Sequence, residues 1–253
     1  MSAAETPAVT VTFAGSGDAF GSGGRFQACI HLQGPPPADP VLLDCGATSL
    51  TALKQARLDP GEIATVFVSH LHGDHFGGLP FLILDGQFSR RRKPLTVAGP
   101  PGLAQRLNEA MECLFPGSAS VARRFEVHTV ELPPGARRQI GEVTVSAWAA
   151  DHPSGAPALM LRLDLAGRAI GYTGDTAWND RVPEVAAGAD VFIAEAYYRD
   201  KTIPYHLRLA DLAAHRDRLT AARIVLTHMS PDMLGHQESA GFEVAHDGLA
   251  ITL

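Results

Sequence analysis

The feature that most constrains this chain is an apolar segment that runs directly into a group of metal-ligating side chains. Residues 66–80 read VFVSHLHGDHFGGLP, and six consecutive residues in that segment include His70, His72, Asp74 and His75. A single histidine is usually a surface residue or a core residue with satisfied hydrogen bonds. Three histidines and an aspartate directly after an apolar strand favour a metal site instead.

The spacing within this group predicts two ligand positions rather than one. Residues i and i+2 of an extended chain point to the same side, so His70 and His72 can bind one ion together. Gly73 permits a sharp turn, after which Asp74 and His75 can face a second position nearby. His75 is predicted to begin the next helix, whose N-terminal end favours the neutral imidazole that a metal requires.

Length and composition are those of one folded domain over residues 1–253. The chain is 45% hydrophobic and 19% charged, which is sufficient for a substantial core. No apolar run approaches the ~20 residues of a membrane helix, so no membrane contact is expected. The first ten residues, MSAAETPAVT, lack the pattern of a secretory signal, and a cytoplasmic location is therefore expected.

Charge and cysteine usage exclude further classes of protein. The net charge is −6, whereas a nucleic-acid binder usually has a basic excess. The basic run SRRRKP at residues 89–94 is expected to be a solvated loop. Cys29, Cys45 and Cys113 are odd in number and widely spaced, which argues against a disulfide framework or a thiolate zinc site. We expect them to be buried apolar residues.

The periodicity of apolar residues predicts a mixture of strands and helices, and therefore an α/β fold. Strands are expected at residues 8–14, 28–32, 41–46, 62–70, 125–132, 142–150, 158–167, 168–174, 189–196, 223–228 and 248–253. Helices are expected at residues 48–58, 102–115 and 209–219.

The segment HLHGDH resembles the His-x-His-x-Asp-His signature of the metallo-β-lactamase superfamily. Further pieces occur in the order typical of that family: AADHPSGAP with His152, GYTGDT with Asp175 and IVLTHMS with His228. The opening FAGSGDAFGSGGRFQACIHL and the segment VLLDCGAT resemble its ribonuclease Z-like branch. The resemblance implies a four-layered αββα sandwich, with two mixed sheets face to face and helices outside.

The resemblance also implies a set of metal ligands. The first ion would be bound by His70, His72 and His152, the second by Asp74, His75 and His228, with Asp175 bridging both and Asp44 orienting a ligand histidine. A ligand set of nitrogen and carboxylate oxygen favours two zinc ions, with manganese or iron as alternatives.

The activity implied by the resemblance is that of a dinuclear metal-dependent hydrolase in which a metal-bridging hydroxide is the nucleophile. A phosphodiesterase acting on small phosphodiesters is the leading hypothesis. An ester-type hydrolase of lactones, thioesters or aryl sulfates on the same centre is the alternative. A non-enzymatic metal-dependent binding or regulatory protein is the third. The sequence contains neither a G-x-S-x-G nucleophile motif nor a P-loop.

Asp74, Glu195 and His206 are the candidate catalytic residues. Glu195 and His206 occupy places comparable to those of a glutamate and a histidine near the metals of ribonuclease Z-like proteins. The match is loose, because this chain reads YHLRLA where ribonuclease Z typically has His-Ser-Thr. His206 would donate a proton to the leaving oxygen or hold a phosphate oxygen, and Glu195 would orient it. A surface histidine at a helix start is the alternative.

The resemblance departs from ribonuclease Z where those enzymes carry a tRNA-binding arm. His152 and Asp175 are only 23 residues apart, and that interval is already needed for two strands. With a net charge of −6, tRNA is not the expected partner. A small phosphodiester such as a cyclic phosphate or a modified nucleotide is expected, and a homodimer is an option. Tyr197, Tyr198 and Tyr205 are candidates to stack on a base or an aryl group, or are packing residues.

Overall fold

The chain folds into two seven-stranded β-sheets that pack face to face, in a computed structural model that describes residues 8–236 and 241–253. The strands of the first sheet, in spatial order, are β14 (Ala250–Thr252), β1 (Thr10–Gly15), β2 (Cys29–Gln33), β3 (Val41–Leu43), β4 (Thr65–Phe67), β5 (Leu95–Gly99) and β6 (Val127–Glu131). Those of the second are β13 (Glu243–Val244), β12 (Arg223–Thr227), β11 (Val191–Glu195), β10 (Arg168–Tyr172), β9 (Leu159–Leu165), β8 (Val143–Ala149) and β7 (Arg137–Ile140).

Helices cover the outer face of each sheet. Those outside the first sheet are α1 (Ser49–Gln55), α3 (Leu79–Phe88) and α4 (Leu103–Leu114). Those outside the second are α5 (Val182–Ala186), α6 (Leu209–Ala214) and α7 (Pro231–Leu234). The short α2 (Gly73–Phe76) belongs to the metal-ligand segment. The order of layers is therefore helix, sheet, sheet, helix, which confirms the αββα prediction.

The central core lies between the sheets and follows the alternation of side chains along each strand. Val143, Val145 and Ala147 of β8 are buried on the inner face, and Leu161 and Leu163 of β9 pack in the same core. Successive side chains of a strand point to opposite faces, so every second residue faces the other sheet. Separate apolar clusters lie beneath the helices on each outer face.

The strand directions bring several carboxyl ends to one edge of the sandwich. β3, β4 and β5 run parallel in the first sheet, and β10, β11 and β12 run parallel in the second. β9 pairs antiparallel with both β8 and β10, so β8 ends at the same edge as β10. Ligand sites of open α/β sheets lie beyond the carboxyl ends of the strands. Every segment with a predicted metal ligand follows one of these ends.

Several predicted elements are confirmed and others are wrong in extent. The helix expected at 102–115 is α4, and the strands expected at 158–167 and 168–174 are β9 and β10, which fill the interval between His152 and Asp175. The helix expected at 209–219 is shorter, because α6 ends at Ala214 and a separate 3-10 turn follows. The helix predicted to begin at His75 is instead two helices, α2 from Gly73 and α3 from Leu79. The bounds of α3 were not predicted, since its apolar residues are spread around the helix without a helical period.

The expected burial of the three cysteines is corrected at one of them. Cys29 and Cys45 are buried as expected, and burial raises the pKa of Cys29 to about 12, but Cys113 is exposed on α4. The helical position of Cys113 lies away from the buried stripe of Leu107 and Met111. None of the helices in the described part of the chain has the length and apolar character needed to cross a bilayer.

The basic run at residues 89–94 is only partly the solvated loop that the sequence predicts. Arg91 is 6% exposed, and its guanidinium donates to the carbonyl oxygens of Lys93 (2.7 Å), Pro60 (3.1 Å), Pro94 (2.9 Å) and Ile63 (2.5 Å). A guanidinium has five N–H donors in a rigid fork, which suits this arrangement of carbonyls. Arg91 therefore connects the segment before β4 to the segment before β5.

Replacing Arg91 with alanine is expected to lower the free energy of unfolding by about 2–4 kcal/mol, because several carbonyl groups lose their buried donor. The shift of the urea unfolding midpoint measures this change. Arg92→Ala is the matched control, since Arg92 is exposed, and should change the free energy by less than about 0.5 kcal/mol. Equal effects of the two substitutions would contradict the structural role of Arg91.

Candidate metal centre

The seven predicted metal ligands lie together at the shared edge of the two sheets. They form one group of three side chains and one group of four: His70, His72 and His152, and Asp74, His75, Asp175 and His228. Within each group the potential ligand atoms lie within 4.8 Å of one another. Residues distant in the sequence and contributed by both sheets therefore converge on one place.

The first group consists of three imidazoles whose nitrogens face a common point. His72 Nδ1 lies 3.2 Å from His70 Nε2 and 3.0 Å from His152 Nε2. In tetrahedral zinc sites with Zn–N distances of ~2.0–2.1 Å, neighbouring ligand nitrogens lie roughly 3.3 Å apart. The spacing in this group fits one divalent ion.

The second group combines two imidazoles with a carboxylate. His75 Nε2 lies 3.2 Å from His228 Nε2, and Asp74 Oδ2 lies 3.3 Å from the former and 3.1 Å from the latter. Mixed imidazole and carboxylate ligation suits zinc and also other divalent metals. This group fits a second ion.

Asp175 lies between the two groups and directs one oxygen toward each. Its Oδ1 is 3.3 Å from His75 Nε2 and 3.6 Å from His228 Nε2. Its Oδ2 is 3.9 Å from His70 Nε2 and 4.0 Å from His152 Nε2. Asp175 is buried, and its Oδ1 has no hydrogen-bond partner among the described residues. A buried carboxylate oxygen without a donor is costly unless a cation satisfies it, so the residues fit a pair of ions with Asp175 between them.

Hydrogen bonds at the far side of three imidazoles determine which nitrogen faces the centre. His75 Nδ1 donates to Asp44 Oδ2 at 2.6 Å, and His152 Nδ1 donates to the carbonyl oxygen of Tyr205 at 3.0 Å. His70 Nδ1 lies 3.1 Å from Ser69 Oγ. Such partners hold the tautomer and orientation that a metal-ligating histidine needs. In each of these three rings Nε2 is thereby the nitrogen that faces the centre and that would bind an ion.

Asp44 accepts four hydrogen bonds behind the centre, consistent with the orienting role that the resemblance implies. Besides His75, its donors are the backbone N–H of Ser69 (2.7 Å), the hydroxyl of Ser69 (2.8 Å) and the hydroxyl of Tyr172 (2.8 Å). Sequence reasoning missed Ser69 and Tyr172. The sequence feature that could have indicated them is a polar side chain at the end of an apolar strand, next to a predicted metal ligand.

Burial and nearby carboxylates act in opposite directions on the imidazole pKa values. Burial lowers the pKa of His70 and of His152, which favours the neutral ring. Burial also lowers the pKa of His75 and of His228, but Asp175 and other carboxylates outweigh it, so the pKa of His228 is raised to about 9 and that of His75 lies well above its usual value. The surrounding carboxylates, rather than the N-terminus of the one-turn helix α2, therefore decide the direction of the His75 pKa shift.

The tight packing behind the centre depends on Gly46 and Gly78 rather than on Gly73. A Cβ on Gly46 would lie 2.1 Å from the carbonyl oxygen of Asp74, and a Cβ on Gly78 would lie 2.1 Å from the carbonyl oxygen of Gly46. Gly73 begins α2 without a positive φ, and a Cβ there would have no neighbour within 4 Å. The chain turns from extended backbone at His72 into α2 at Gly73, as predicted, but this turn does not require a glycine. The need for glycine arises at Gly46 and Gly78, from the close approach of chain segments.

Three residues of the centre have left-handed backbone conformations that are costly for residues other than glycine. Asp44, Tyr205 and His228 have φ values of 59°, 66° and 58°. Such conformations cost roughly 1–3 kcal/mol each and persist where the surroundings determine them. At Tyr205 the conformation accompanies the carbonyl that accepts from His152, and the next residue, His206, faces the same cavity.

Glu195 and His206 form a hydrogen-bonded pair next to the ligands. His206 Nδ1 donates to Glu195 Oε1, and Glu195 Oε2 accepts from the backbone N–H groups of Thr176 (3.0 Å) and Leu207 (3.2 Å). These two residues, with Asp175 and His228, also meet the geometric conditions for binding an ion. Since protein donors already occupy both oxygens of Glu195, the arrangement favours an oriented imidazole over a third metal position.

The centre opens into a cavity of about 300 Å³. Its lining consists of ligand residues, the histidine of the hydrogen-bonded pair and a set of apolar and aromatic side chains: Ala19, Phe20, His72, Asp74, His152, Asp175, Tyr197, Ile203, His206 and His228. Of the three tyrosines predicted as stacking candidates, Tyr197 lines this cavity. Tyr198 packs beneath Lys201, and the carbonyl of Tyr205 rather than its ring contacts a ligand histidine.

Two facing sheets with helices outside them, and a histidine and aspartate centre at their common edge, define a metal-dependent hydrolase of the metallo-β-lactamase superfamily. A ribonuclease Z of Shouchella clausii is 26% identical over 75% of this chain and 76% of its own length. The chain belongs to the family described as anti-Pycsar protein Apyc1, whose match extends over residues 9–246.

Solved structures support the same fold. The metallo-β-lactamase fold protein YhfI of Bacillus subtilis superposes with a TM-score of 0.79 at 17% identity, over 98% of this chain and 100% of its own. The short form of human tRNase Z superposes with a TM-score of 0.77 at 26% identity, over 96% of this chain and 98% of its own. The similarity therefore extends over nearly the whole chain in both comparisons.

Asp175→Ala is expected to lower the bound metal from about two ions per chain to fewer than one, because one carboxylate oxygen faces each ligand group. Asp74→Ala should remove mainly one ion, since Asp74 belongs to the second ligand group and not to the first. Elemental analysis of purified, zinc-reconstituted protein measures both. Asp190→Ala is the control, because Asp190 pairs with Arg168 and lies outside the ligand groups, and it should keep two ions. Wild-type protein that binds no metal on reconstitution would contradict the assignment.

Proposed function

We propose that this chain is a dinuclear zinc-dependent phosphodiesterase that acts on small phosphodiesters. The observation that carries the proposal is the position of Asp175, with one carboxylate oxygen toward each of two ligand groups at the base of a cavity. Paired divalent ions suit in-line displacement at phosphorus, because they stabilise the attacking and the leaving oxygen together.

The protein's own residues bind and orient the ions. His70, His72 and His152 would hold the first ion, and Asp74, His75 and His228 would hold the second, with Asp175 available to both. When bound, the two ions supply a water of lowered pKa and positive charge next to the phosphoryl oxygens. Asp44, through His75, fixes the direction from which one ligand nitrogen approaches.

His206 supplies the proton that the leaving oxygen requires. Its Nδ1 is bound to Glu195, so Nε2 is the nitrogen available to the cavity that His206 lines. Burial lowers the pKa of His206, but the hydrogen bond and the charge of Glu195 outweigh it and raise the pKa above its usual value. A protonated imidazole is thereby favoured, and it can donate to a leaving alkoxide.

The size and surroundings of the cavity favour a small substrate over folded RNA. A cavity of about 300 Å³ is at the lower end of the range for small-molecule sites. The interval between His152 and Asp175 contains the β9–β10 pair and leaves no room for an inserted arm. The net charge of −6 also opposes a polyanion. A cyclic phosphate or a nucleotide derivative is a suitable size of substrate.

A panel of substrates with one metal-loaded preparation tests the proposed reaction. We expect turnover of bis(p-nitrophenyl) phosphate and of cyclic mononucleotides, and at least tenfold lower kcat/KM for an aryl sulfate, a lactone, a thioester or a precursor tRNA. Asp175→Ala prepared identically controls for contaminating enzymes. Turnover of a lactone or thioester alone would establish the ester-type alternative, tRNA cleavage alone would establish a nuclease, and inertness toward all would favour a binding protein.

His206→Ala is expected to spare metal content and to lower kcat by about 10²–10⁴-fold for a phosphodiester with an alkoxide leaving group, which needs a proton. The loss should be much smaller for bis(p-nitrophenyl) phosphate, because p-nitrophenolate leaves without one. Steady-state kinetics on both substrates measures the difference, with His128→Ala as a control because His128 is exposed on β6. Loss of metal in His206→Ala would instead assign His206 as a ligand.

A further inference from the structure

Phe20 is an exposed aromatic side chain at the entrance of the cavity. It lies in the segment between β1 and β2 and is 83% exposed, more than any other large hydrophobic residue in the described part of the chain. Burying a phenylalanine side chain is favourable, and the fold leaves this contribution unused at Phe20. The ring nevertheless lines the cavity together with His206 and His228.

The segment that carries Phe20 is held by a buried carboxylate. Asp18 is fully buried, and its Oδ1 accepts from the backbone N–H groups of Phe20 (3.2 Å) and Ser22 (2.9 Å). Its Oδ2 accepts from the Ser22 hydroxyl at 2.7 Å. The backbone that carries the exposed Phe20 ring is therefore held in place by Asp18.

A second carboxylate connects the same segment to the C-terminal part of the chain. Asp247 accepts from the backbone N–H of Ser16 (2.9 Å) and from that of Phe26 (2.8 Å), at the two ends of the segment. The guanidinium of Arg25 donates to the carbonyl oxygen of Ala245 at 2.7 Å. The carbonyl oxygen of Ser16 also accepts from the backbone N–H of His228 at 3.1 Å, so these contacts position the segment relative to the metal centre.

Apolar and aromatic side chains also occupy the side of the cavity next to the proposed proton donor. The ring of Tyr197 lies 5.1 Å from that of His206 at an interplanar angle of 32°, and Ile203 lines the same space. The backbone N–H of Tyr197 donates to the carbonyl oxygen of Leu207 at 2.9 Å, which holds it in place. The cavity therefore has charged ligand residues at its bottom and apolar side chains at its entrance.

We propose that Phe20 is the specificity residue of this site and stacks on the planar ring of an aromatic phosphodiester, such as a nucleobase. The inference rests on the proposed function, because it deepens the substrate class of the same site. A ring stacked on Phe20 covers an otherwise exposed apolar surface, while the phosphate reaches the metal ligands at the bottom of the cavity. Stacking of this kind accepts any base, since every base has a π face. Phosphodiesters of glycerol or of a sugar without a base lack that contact.

Two ligands that differ only by the ring test this role without relying on turnover. Adenosine 5′-monophosphate and ribose 5-phosphate share the sugar and the phosphate, and calorimetry on zinc-loaded protein gives the affinity of each. We expect the wild type to bind the nucleotide more tightly, and Phe20→Ala to weaken it by about tenfold, equivalent to about 1.4 kcal/mol, while ribose 5-phosphate binds unchanged. Phe20→Trp should retain the preference.

Phe88→Ala is the matched control, because Phe88 is 77% exposed at the end of α3 and does not line the cavity. Its ligand affinities should equal those of the wild type. Equal affinity of the wild type for the two ligands would overturn the role of Phe20, as would unchanged nucleotide binding in Phe20→Ala. A change in the oligomeric mass of Phe20→Ala with unchanged binding would instead assign the ring to a contact between chains. Failure of the substrate panel would refute the phosphodiesterase while this binding test still reports on Phe20.

Discussion

The interaction on which the rest of the structure depends is the contact of the buried Asp175 carboxylate with imidazoles of both ligand groups. Burying an unpaired charge costs free energy. Burying a nitrogen or an oxygen that has no hydrogen-bond partner is also costly. Asp175, together with Asp74, raises the pKa of His75 and His228 and so stabilises their charged forms, whereas burial favours neutral rings at His70 and His152. The same carboxylates and imidazoles fit two divalent cations. The buried polar side chains that lower the stability of the fold therefore also make the centre suitable for metal binding.

The sandwich supplies what that centre needs, because each sheet contributes the carboxyl ends of parallel strands to one edge. Asp44 and the His70–His75 segment follow neighbouring strands of the first sheet, and Asp175 and His228 follow strands of the second. Residues behind the ligands then orient the rings through hydrogen bonds. The chemistry at the edge therefore depends on the register of two sheets that share one core.

How much of this was predictable differs between parts of the molecule. The helix α4 and the strands β9 and β10 follow from local periodicity, and the ligand residues follow from a dense and specific motif. The length of α6 and the bounds of α3 do not, because packing against the sheets decides them. Tyr172 was not predicted either, since its bond to Asp44 joins residues 128 positions apart.

The sequence by itself determined the kinds of ligand, their local spacing and the alternation that builds two sheets. Only the tertiary structure decided which nitrogen of each histidine faces the centre, that Gly46 and Gly78 rather than Gly73 need the space, and that Phe20 stands at the entrance of the cavity. The physical reason is that the pattern of side chains along the sequence reports only on residues that are close to each other in the chain. Orientation, close approach and exposure arise from contacts between segments that only folding brings together.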